Sequence, residues 1–301
     1  MFANFRELRD NMAATPNTLV AAAAHDKHTL EAVFAAAQEL PMRYILVGDR
    51  ENIISLSSEI GFAPGTDTIV DAKDAADCAS KAVALIREGK GDVLMKGALE
   101  SGILLKAVLD KDAGIKVSGT MSHAAILEVP GYHKLITVTD GGMLPSPTLE
   151  QKADIVRNTV AFYNRLGFRQ PKIAALCASE SVNERIQETV DAAHLQSMCQ
   201  KGELGGCLLE GPLSFDLAVS RESALTKGFS SDICGDADVL LVPNITVGNV
   251  LCKGLIYWGN TIMAGCVLGA KVPIVLVSRN ATAEEKLFSI MLCLYTSGGI
   301  V

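Results

Sequence analysis

Short apolar runs alternate with longer amphipathic stretches along most of the chain. The runs are apolar at consecutive positions, which is typical of strands that are covered on both faces of a sheet. We predict strands at 18–24, 44–48, 92–97, 134–140, 172–177, 206–211, 238–243 and 273–278. The stretches between them, such as 29–40, 74–89 and 148–167, have the spacing of amphipathic helices. This alternation predicts an α/β fold with mostly parallel strands.

Polar residues and glycines mark the ends of several predicted helices. The segments 148–151, 181–184 and 282–285 each begin with Ser or Thr and end with Gln or Glu, which is the form of a capping box. Gly167 and Gly269 are predicted helix stops, because glycine readily adopts the left-handed conformation that ends a helix.

The segment GGMLPSPT at 141–148 is the best candidate for a domain boundary. Its two glycines and two prolines interrupt periodic structure just after a predicted strand. We therefore predict one α/β domain from residues 1–143 plus 268–301 and a second from residues 144–267.

The composition narrows the class of protein. The chain has 301 residues, of which 49% are apolar and 20% are charged, with a formal net charge of −7. Because nucleic acids and acidic membranes are bound by basic surfaces, we expect neither as a partner, although a local Lys/Arg cluster can still bind a small anion. The sequence has no apparent signal peptide and no apolar run near the roughly 20 residues that span a bilayer, so we expect a cytoplasmic protein.

The cysteines and histidines give no support for a metal site. The eight cysteines form no CxxC pair, and the five histidines show no HExxH or HxxxH spacing. Most of the cysteines stand in apolar runs, where we expect small buried side chains that stay reduced.

The residues that follow the predicted strands are candidates for a binding site, since ligands of such sheets bind outside the carboxyl ends of the strands. Several of these positions precede helices, whose N-terminal N–H groups favour anions. They include Lys96, Thr139, Asp140, Glu210, Asn244, Gly248, Asn249, Ser278 and Arg279. Any one of them alone is more simply a turn residue or a cap, but together they predict phosphate binding. The sequence has no P-loop, dinucleotide-binding or nucleophile-elbow signature.

Three candidate residues have a structural as well as a functional interpretation. Glu285 either caps the helix that begins at Thr282 or acts as a general base. A cap of this kind stabilises a protein by up to about 1 kcal/mol, and the spacing of Glu285 from Thr282 favours the cap. His123 either binds substrate or is a hydrogen-bonded, partly buried histidine. Arg279 directly follows a buried strand and therefore needs an anion or a carboxylate as partner.

Long segments of the chain resemble a known family. They are LMKGALESGILLKAVLD, GTMSHAAILEVPGYHKLITVTDGG, PTLEQKADIV, LEGPLSFDLA, DADVLLVPNITVGNVLCKGL and VLVSRNATAEEKLFSI. They resemble the phosphate acetyl/butyryl transferases, and the overall pattern is most similar to phosphate butyryltransferases, from about Leu19 to the end of the chain.

The resemblance implies a fold, a reaction and an assembly. The fold is that of the isocitrate/isopropylmalate dehydrogenases, with two α/β domains, mostly parallel sheets and an interdomain cleft. The reaction is butanoyl-CoA plus phosphate giving CoA plus butanoyl phosphate. Coenzyme A is then a substrate, no cofactor is bound permanently, and the protein is a homodimer or a higher homo-oligomer.

The resemblance also implies roles for residues near the end of the chain. Ser278 and Arg279 match a family pair that holds phosphate and orients the acyl carbonyl. Glu285 stands where acetyl-transferring relatives have a catalytic aspartate, seven residues after the serine. Its neighbour Glu284 also has an acidic counterpart, so the resemblance leaves open which carboxylate is the base.

Other matched positions are expected to bind substrate. The family's PNxxxGN element appears at residues 243–249, which contribute Asn244, Gly248 and Asn249. Lys106 stands where the family has an arginine, and lysine can neutralise a phosphate but cannot bind it as a bidentate fork. The remaining substrate-binding residues that we predict are Lys96, His123 and Asp140.

Three alternative functions stay open at this point. One is phosphate acetyltransferase activity or a broader acyl range, because chain preference depends on pocket volume. A second is a metal-dependent NAD(P) dehydrogenase of similar fold, which needs a cluster of aspartates that the sequence does not have at suitable spacing. A third is a sensor that binds CoA or acyl phosphate without catalysis. Within the transferase function, an acyl-cysteine route is less favoured, since no cysteine has an activating base beside it in the sequence.

Overall fold

The computed structural model describes residues 1–11, 16–277 and 281–297. Contacts between Cα atoms divide the chain into two compact units. Unit A comprises Met1–Asp10 and Ser118–Met263, and unit B comprises the described residues between Asn11 and Val117 and from Ala264 onward. Each unit has its own arrangement of strands and helices.

Unit B is built on a mostly parallel set of strands. These are β1 (Asn17–Ala22), β2 (Met42–Gly48), β3 (Ile69–Asp71), β4 (Val93–Lys96), β10 (Ile262–Leu268, whose first two residues belong to unit A) and β11 (Ile274–Val275). Their order is β3-β2-β1-β4-β11-β10. All neighbours run parallel except the antiparallel pair β10 and β11. The central strands are almost entirely buried, as their uninterrupted apolar sequences predict.

Unit A repeats this design with an antiparallel edge. Its strands are β5 (Ser122–Glu128), β6 (Ile136–Thr139), β7 (Lys172–Leu176), β8 (Leu208–Leu213) and β9 (Val239–Leu241). They follow the order β5-β6-β9-β7-β8. β5 and β6 pair antiparallel, whereas the other neighbours are parallel.

Helices connect most of the parallel strands. In unit A they are α1 (Phe5–Asp10), α6 (Leu149–Arg165), α7 (Gln187–Gln200), α8 (Phe215–Val219), α9 (Arg221–Thr226) and α10 (Ile245–Gly259). In unit B they are α2 (Lys27–Glu39), α3 (Arg50–Glu59), α4 (Ala75–Arg87), α5 (Ser101–Val108) and α11 (Ala283–Ser297), together with a 3₁₀ turn at Thr66–Thr68. No helix within the described ranges is both long enough and apolar enough to cross a bilayer.

The predicted alternation of strands and helices is confirmed. Each of the eight predicted strand runs contains a strand, and β3, β5 and β10 are additional. The units group residues 118–143 with the segment that follows them, because β5 pairs with β6 and β6 pairs with β9. The predicted domain boundaries differ from these units and stay a prediction.

Two of the three predicted capping boxes are confirmed. At the start of α6, the Gln151 N–H donates to Thr148 Oγ1 (3.3 Å) and the Thr148 N–H donates to Gln151 Oε1 (2.9 Å). The same reciprocal pair forms between Thr282 and Glu285 at the start of α11. Each box satisfies two N–H groups that the first helical turn leaves without an intrahelical partner.

The third capping box, at residues 181–184, is wrong. This segment is a loop, and α7 begins only at Gln187. The Asn183 N–H donates instead to Thr189 Oγ1 (2.9 Å), whose hydroxyl donates to the carbonyl oxygens of Asn183 and Ile186. These bonds hold the segment against the first turn of α7 through the Thr189 hydroxyl, so residues 181–184 form a loop instead of a helix start.

One predicted helix stop is confirmed and the other is wrong. Gly167 follows the last turn of α6 with φ of 86°, a conformation that suits glycine. Gly269 also has a positive φ, 93°, but it follows a strand, β10, and begins the turn toward β11. A left-handed glycine serves a β-turn as readily as a helix end, so its presence does not identify the element before it.

Candidate active site

A cavity of about 420 Å³ in unit B lies at the carboxyl ends of β1, β4 and β11. It is lined by Asp26, His28, Thr29, Met95, Lys96, Gly97, Ala98, Leu99, Glu100, Val277 and Lys286. The lining combines two lysines, an imidazole and two carboxylates with an apolar wall. This is the edge of the sheet at which the sequence predicts ligand binding.

Lys96 reaches the cavity because it is the last residue of β4. Its ammonium group donates to the carbonyl oxygens of Gly97 (3.2 Å) and Leu99 (3.1 Å), which holds the charge close to the strand end. Gly97 makes this turn possible: a Cβ at that position would lie 2.4 Å from the Ala23 carbonyl oxygen. The predicted binding residue Lys96 therefore stands in a chemically suitable cavity.

The N-terminus of α2 forms another side of the cavity. Asp26 is the N-cap, and its Oδ1 accepts a hydrogen bond from the Thr29 N–H (3.0 Å). Its second oxygen, Oδ2, is buried and has no hydrogen-bond partner among the residues that the structure describes. His28 and Thr29 in the first turn line the cavity, so the positive end of the helix dipole lies next to it.

The start of α11 contributes the last part of the lining. Val277 lines the cavity, as does Lys286 in the first turn of the helix. Ser278 and Arg279, the predicted phosphate-holding pair, lie outside the described residues. Glu285 is half-buried, and its Oε2 accepts a hydrogen bond from the Thr282 N–H (2.8 Å), so the capping role favoured by its spacing is present.

Apart from Lys106, the other predicted binding residues lie in unit A, beginning with a loop after β6. Asp140 is only 1% exposed, and its Oδ1 accepts hydrogen bonds from the N–H groups of Gly142 (2.9 Å) and Met143 (3.0 Å). Its Oδ2 is buried without a hydrogen-bond partner within residues 1–11, 16–277 and 281–297. A buried carboxylate oxygen in this state can accept a hydrogen bond from a ligand.

His123, in β5, lies against the same loop. A Cβ on Gly142 would lie 2.9 Å from His123 Cγ, so only glycine allows the loop to approach the ring. Burial lowers the pKa of His123 and raises that of Asp140, and the charges of the two groups partly oppose these shifts. With its pKa below 6.5, His123 is mainly neutral at pH 7, and a neutral imidazole can both donate and accept a hydrogen bond.

The PNxxxGN element forms the beginning of α10. Asn244 is the N-cap, and its Oδ1 accepts a hydrogen bond from the Val247 N–H (3.1 Å). Gly248 is buried against the loop after β6, because a Cβ there would lie 2.5 Å from the Gly141 Cα. Asn249, the next residue, is exposed. The element thus brings the N-terminus of a long helix against the Asp140 loop.

The structure separates the predicted residues into distinct environments. Lys96 lies in the unit B cavity, whereas Lys106 is exposed on α5 and is not among the described residues that line that cavity. Five polar residues of the lining were not predicted from the sequence: Asp26, His28, Thr29, Glu100 and Lys286. The end of the first apolar run was a usable signal, because a polar pair, His25 and Asp26, follows the run at 18–24 as Lys96 follows the apolar residues of β4.

Comparisons with known proteins agree with the sequence resemblance. The family model described as phosphate acetyl/butaryl transferase matches residues 66–294. A probable phosphate butyryltransferase of Bacillus subtilis is 40% identical over 281 residues, which are 93% of each chain. A phosphate acetyltransferase of Thermotoga maritima is 37% identical over 274 residues, which are 91% of this chain and 93% of the relative.

Solved structures extend the comparison to the fold. A branched-chain phosphotransacylase from Enterococcus faecalis matches with a TM-score of 0.81 and 31% identity, covering 93% of this chain and 99% of the other. A 4-hydroxythreonine-4-phosphate dehydrogenase from Klebsiella pneumoniae matches with a TM-score of 0.56 and 13% identity, over 94% of this chain and 100% of the other. The second match shows the fold alone, and it confirms the predicted likeness to a dehydrogenase fold.

Proposed function

Because the chain belongs to the phosphate acetyl/butyryl transferase family, we propose that it transfers a butyryl group between coenzyme A and inorganic phosphate. The reaction is butanoyl-CoA plus phosphate giving CoA plus butanoyl phosphate, and it is reversible. One structural observation supports this proposal most directly. The lining of the unit B cavity combines two lysines and the first turns of helices with apolar side chains such as Met95, Leu99 and Val277. A phosphate group suits the first part and a short acyl chain suits the second.

In the direction that makes acyl-CoA, the CoA sulfur attacks the carbonyl carbon of the acyl phosphate. An ordinary thiol has a pKa near about 8.5 and is mostly protonated at neutral pH, so a positioned base speeds the step. Glu285 takes this proton in our proposal. The resulting tetrahedral intermediate then collapses, the C–O bond to the phosphate breaks, and phosphate leaves.

Positive and hydrogen-bonding groups stabilise the charge that develops in this reaction. Lys96 and Arg279 hold the phosphate, and Ser278 together with backbone N–H groups stabilises the oxyanion of the intermediate. A preorganised donor of this kind is typically worth about 3–4 kcal/mol. Holding both substrates at one site also lowers the entropic part of the barrier. The order of these residues along the chain supports their assignment, since Val277 lines the cavity immediately before Ser278.

The unit A residues are proposed to bind substrate rather than to react. His123, Asp140, Asn244, Gly248 and Asn249 cluster around the loop after β6 and the start of α10. Two features support a ligand there: the buried Asp140 Oδ2 lacks a partner among the described residues, and a 15-residue helix begins beside the loop. Amide and hydroxyl groups of coenzyme A are suitable hydrogen-bond donors to such an oxygen.

A release assay tests the proposed function. Butyryl-CoA and phosphate are incubated with the protein, and the free CoA thiol is measured with a chromogenic disulfide. We expect phosphate-dependent CoA release with butyryl-CoA and a lower kcat/KM with acetyl-CoA. An extra methylene in an apolar pocket is worth about 1–3 kcal/mol, so two methylenes should give at least a tenfold preference.

The alternatives correspond to other outcomes of the same assay. A preference for acetyl-CoA would mean that the protein transfers acetyl rather than butyryl groups. The similarity to a phosphate acetyltransferase of Thermotoga maritima is the reason to test this alternative. Binding of CoA without any release would support a sensor and contradict the proposal.

We also propose a cytoplasmic location, because all eight cysteines are free thiols, which suits a reducing compartment. Release activity should then be found in the cytosolic fraction of the source cells.

We further propose that the protein is a homodimer that associates through α10. The inward face of this helix packs Leu251, Cys252 and Leu255 on the core of unit A. Its outward face exposes apolar side chains at helical spacing, with Val250 66%, Tyr257 74% and Trp258 91% exposed. Aromatic residues are enriched where protein surfaces associate, and the only tryptophan of the chain is on this face.

Sedimentation velocity tests this assembly. We expect the wild type to sediment as two chains and Trp258→Asp to shift toward one chain, because a carboxylate cannot be buried there without a partner. Leu225→Asp is the matched control, since Leu225 is also 74% exposed but lies on α9. A wild type that sediments as a single chain at micromolar concentration would refute the dimer.

A further inference from the structure

The unit B cavity contains a second lysine that neither the sequence nor the resemblance identifies. Lys286 lines the cavity together with Lys96. The resemblance implies Arg279 as a cation for phosphate and places Lys106 where the family has an arginine, but Lys106 is exposed on α5 and is not one of the described residues that line this cavity. The cavity therefore offers Lys286, rather than Lys106, as a positive charge near Lys96.

Lys286 stands near a helix N-terminus, in the same turn as Glu284 and Glu285. It is the residue after Glu285, the third residue of α11, so it lies in the first turn. Helix N-termini favour negative charge, and a lysine there opposes the helix dipole. An anion in the cavity reverses this situation, because it interacts favourably both with the ammonium group and with the helix N-terminus.

Other groups around the cavity act in the same direction. The first turn of α2 contributes His28 and Thr29, and the turn between β4 and α5 contributes the backbone from Gly97 to Glu100. Three helices, α2, α5 and α11, therefore begin at this cavity. The two carboxylates in the lining, Asp26 and Glu100, limit the positive potential, so each lysine matters for an anionic ligand.

We propose that Lys286 binds a phosphate group of the substrates in this cavity, as a further cation beside Lys96 and Arg279. Its side chain is half-buried, which fits an aliphatic stem packed on the cavity wall with the ammonium group inside. The inference rests on the proposed function for the identity of the ligand. Inorganic phosphate, acyl phosphate and the phosphates of coenzyme A share the same chemistry, and steady-state kinetics separates them.

Steady-state kinetics of Lys286→Met gives the first test. We expect KM to rise about tenfold or more, with kcat changed much less, because a lost charge-assisted contact weakens binding of the ligand. A rise in KM for phosphate identifies the acceptor phosphate as the ligand, whereas a rise in KM for butyryl-CoA identifies a CoA phosphate. Lys286→Arg should restore most of the affinity, since the charge is retained.

Two other lysine variants make the test specific. Lys111→Met is the matched control, because Lys111 is an exposed lysine of the same unit and is not among the described lining residues. Lys106→Met shows whether the lysine at the position of the family's arginine contributes to KM as Lys286 does. The proposal is overturned if Lys286→Met leaves both KM values unchanged, if Lys286→Arg fails to rescue, or if Lys106→Met alone raises KM.

A binding measurement tests the role of Lys286 without relying on the proposed transferase activity. Inorganic phosphate is titrated into each protein in a calorimeter, without coenzyme A. Weaker binding by Lys286→Met than by the wild type and Lys111→Met supports the inference even if CoA release is never observed. Equal phosphate affinity in all three proteins, or no phosphate binding by the wild type, excludes inorganic phosphate as the ligand. Coenzyme A is then titrated in the same way, and equal CoA affinity in all three proteins contradicts the inference.

Discussion

Replacement of Lys96 by methionine is expected to lower kcat/KM for CoA release by about 10² to 10³, the loss typical when one preorganised stabilising donor is removed. The Lys96 ammonium is fixed at the end of β4 by the carbonyl oxygens of Gly97 and Leu99, at 3.2 and 3.1 Å. A charge held in place before substrate binds needs little reorganisation during the reaction. Methionine has nearly the same length but no charge, so it removes the electrostatic contribution and keeps most of the packing.

Three measurements make the Lys96 result interpretable. Lys96→Arg should retain more activity than Lys96→Met, because it keeps a positive charge although its shape differs. Thermal unfolding followed by circular dichroism should show that Lys96→Met remains folded, and Lys111→Met serves as an exposed control. Activity of Lys96→Met within a few-fold of the wild type would mean that this cavity is not where phosphate reacts.

The parallel strands could be predicted from the sequence because buried strands appear as continuous apolar runs. Of the three strands that were missed, β3 and β5 lack this signal, and β10 shows it in a form that does not distinguish a strand from a helix. β3 has only three residues, and β5 begins with the polar pair Ser122 and His123. β10 has the sequence IMAGCVL, an apolar run of a kind that occurs in buried helices as well as in strands. Gly269 follows it at a position where a helix could also end. Pairing with β11, which the sequence does not show, decides that β10 is a strand.

The candidate site could be predicted only where polar residues directly follow an apolar run in the sequence. Lys96 was found in this way, and the same rule applied to the first strand would have found Asp26. Lys286 could not be found, because it stands inside a helix and its direction depends on how α11 begins. The hydroxyl of Thr282 and the carboxylate of Glu285 fix that beginning through reciprocal hydrogen bonds.

The capping box at α11 therefore raises the question of what Glu285 does besides stabilising the helix. Its Oε2 accepts the hydrogen bond from the Thr282 N–H at 2.8 Å. A carboxylate has a second oxygen, so the cap and a proton transfer can involve the same side chain. The cap would then orient the base, in the way that rigid elements hold catalytic groups in position.

Glu285→Gln is expected to reduce kcat by about 10² to 10⁴, the usual contribution of a general base, with an unchanged melting temperature. Glutamine can accept the same capping hydrogen bond, but its amide cannot take a proton from the CoA thiol. Rates are measured by CoA release in the phosphate-dependent assay and in reverse, with butyryl phosphate and CoA. Melting temperatures are measured on the same samples.

Two further variants separate the base from the cap. Glu285→Ala removes both, so it should lose the same activity and also up to about 1 kcal/mol of stability. Glu284→Gln tests the neighbouring carboxylate, which is exposed in the first turn of α11. If Glu285→Gln keeps near-normal turnover while Glu284→Gln loses it, Glu285 is only a cap and the proton goes to Glu284. If neither variant loses turnover, the thiol is deprotonated by a group outside this turn.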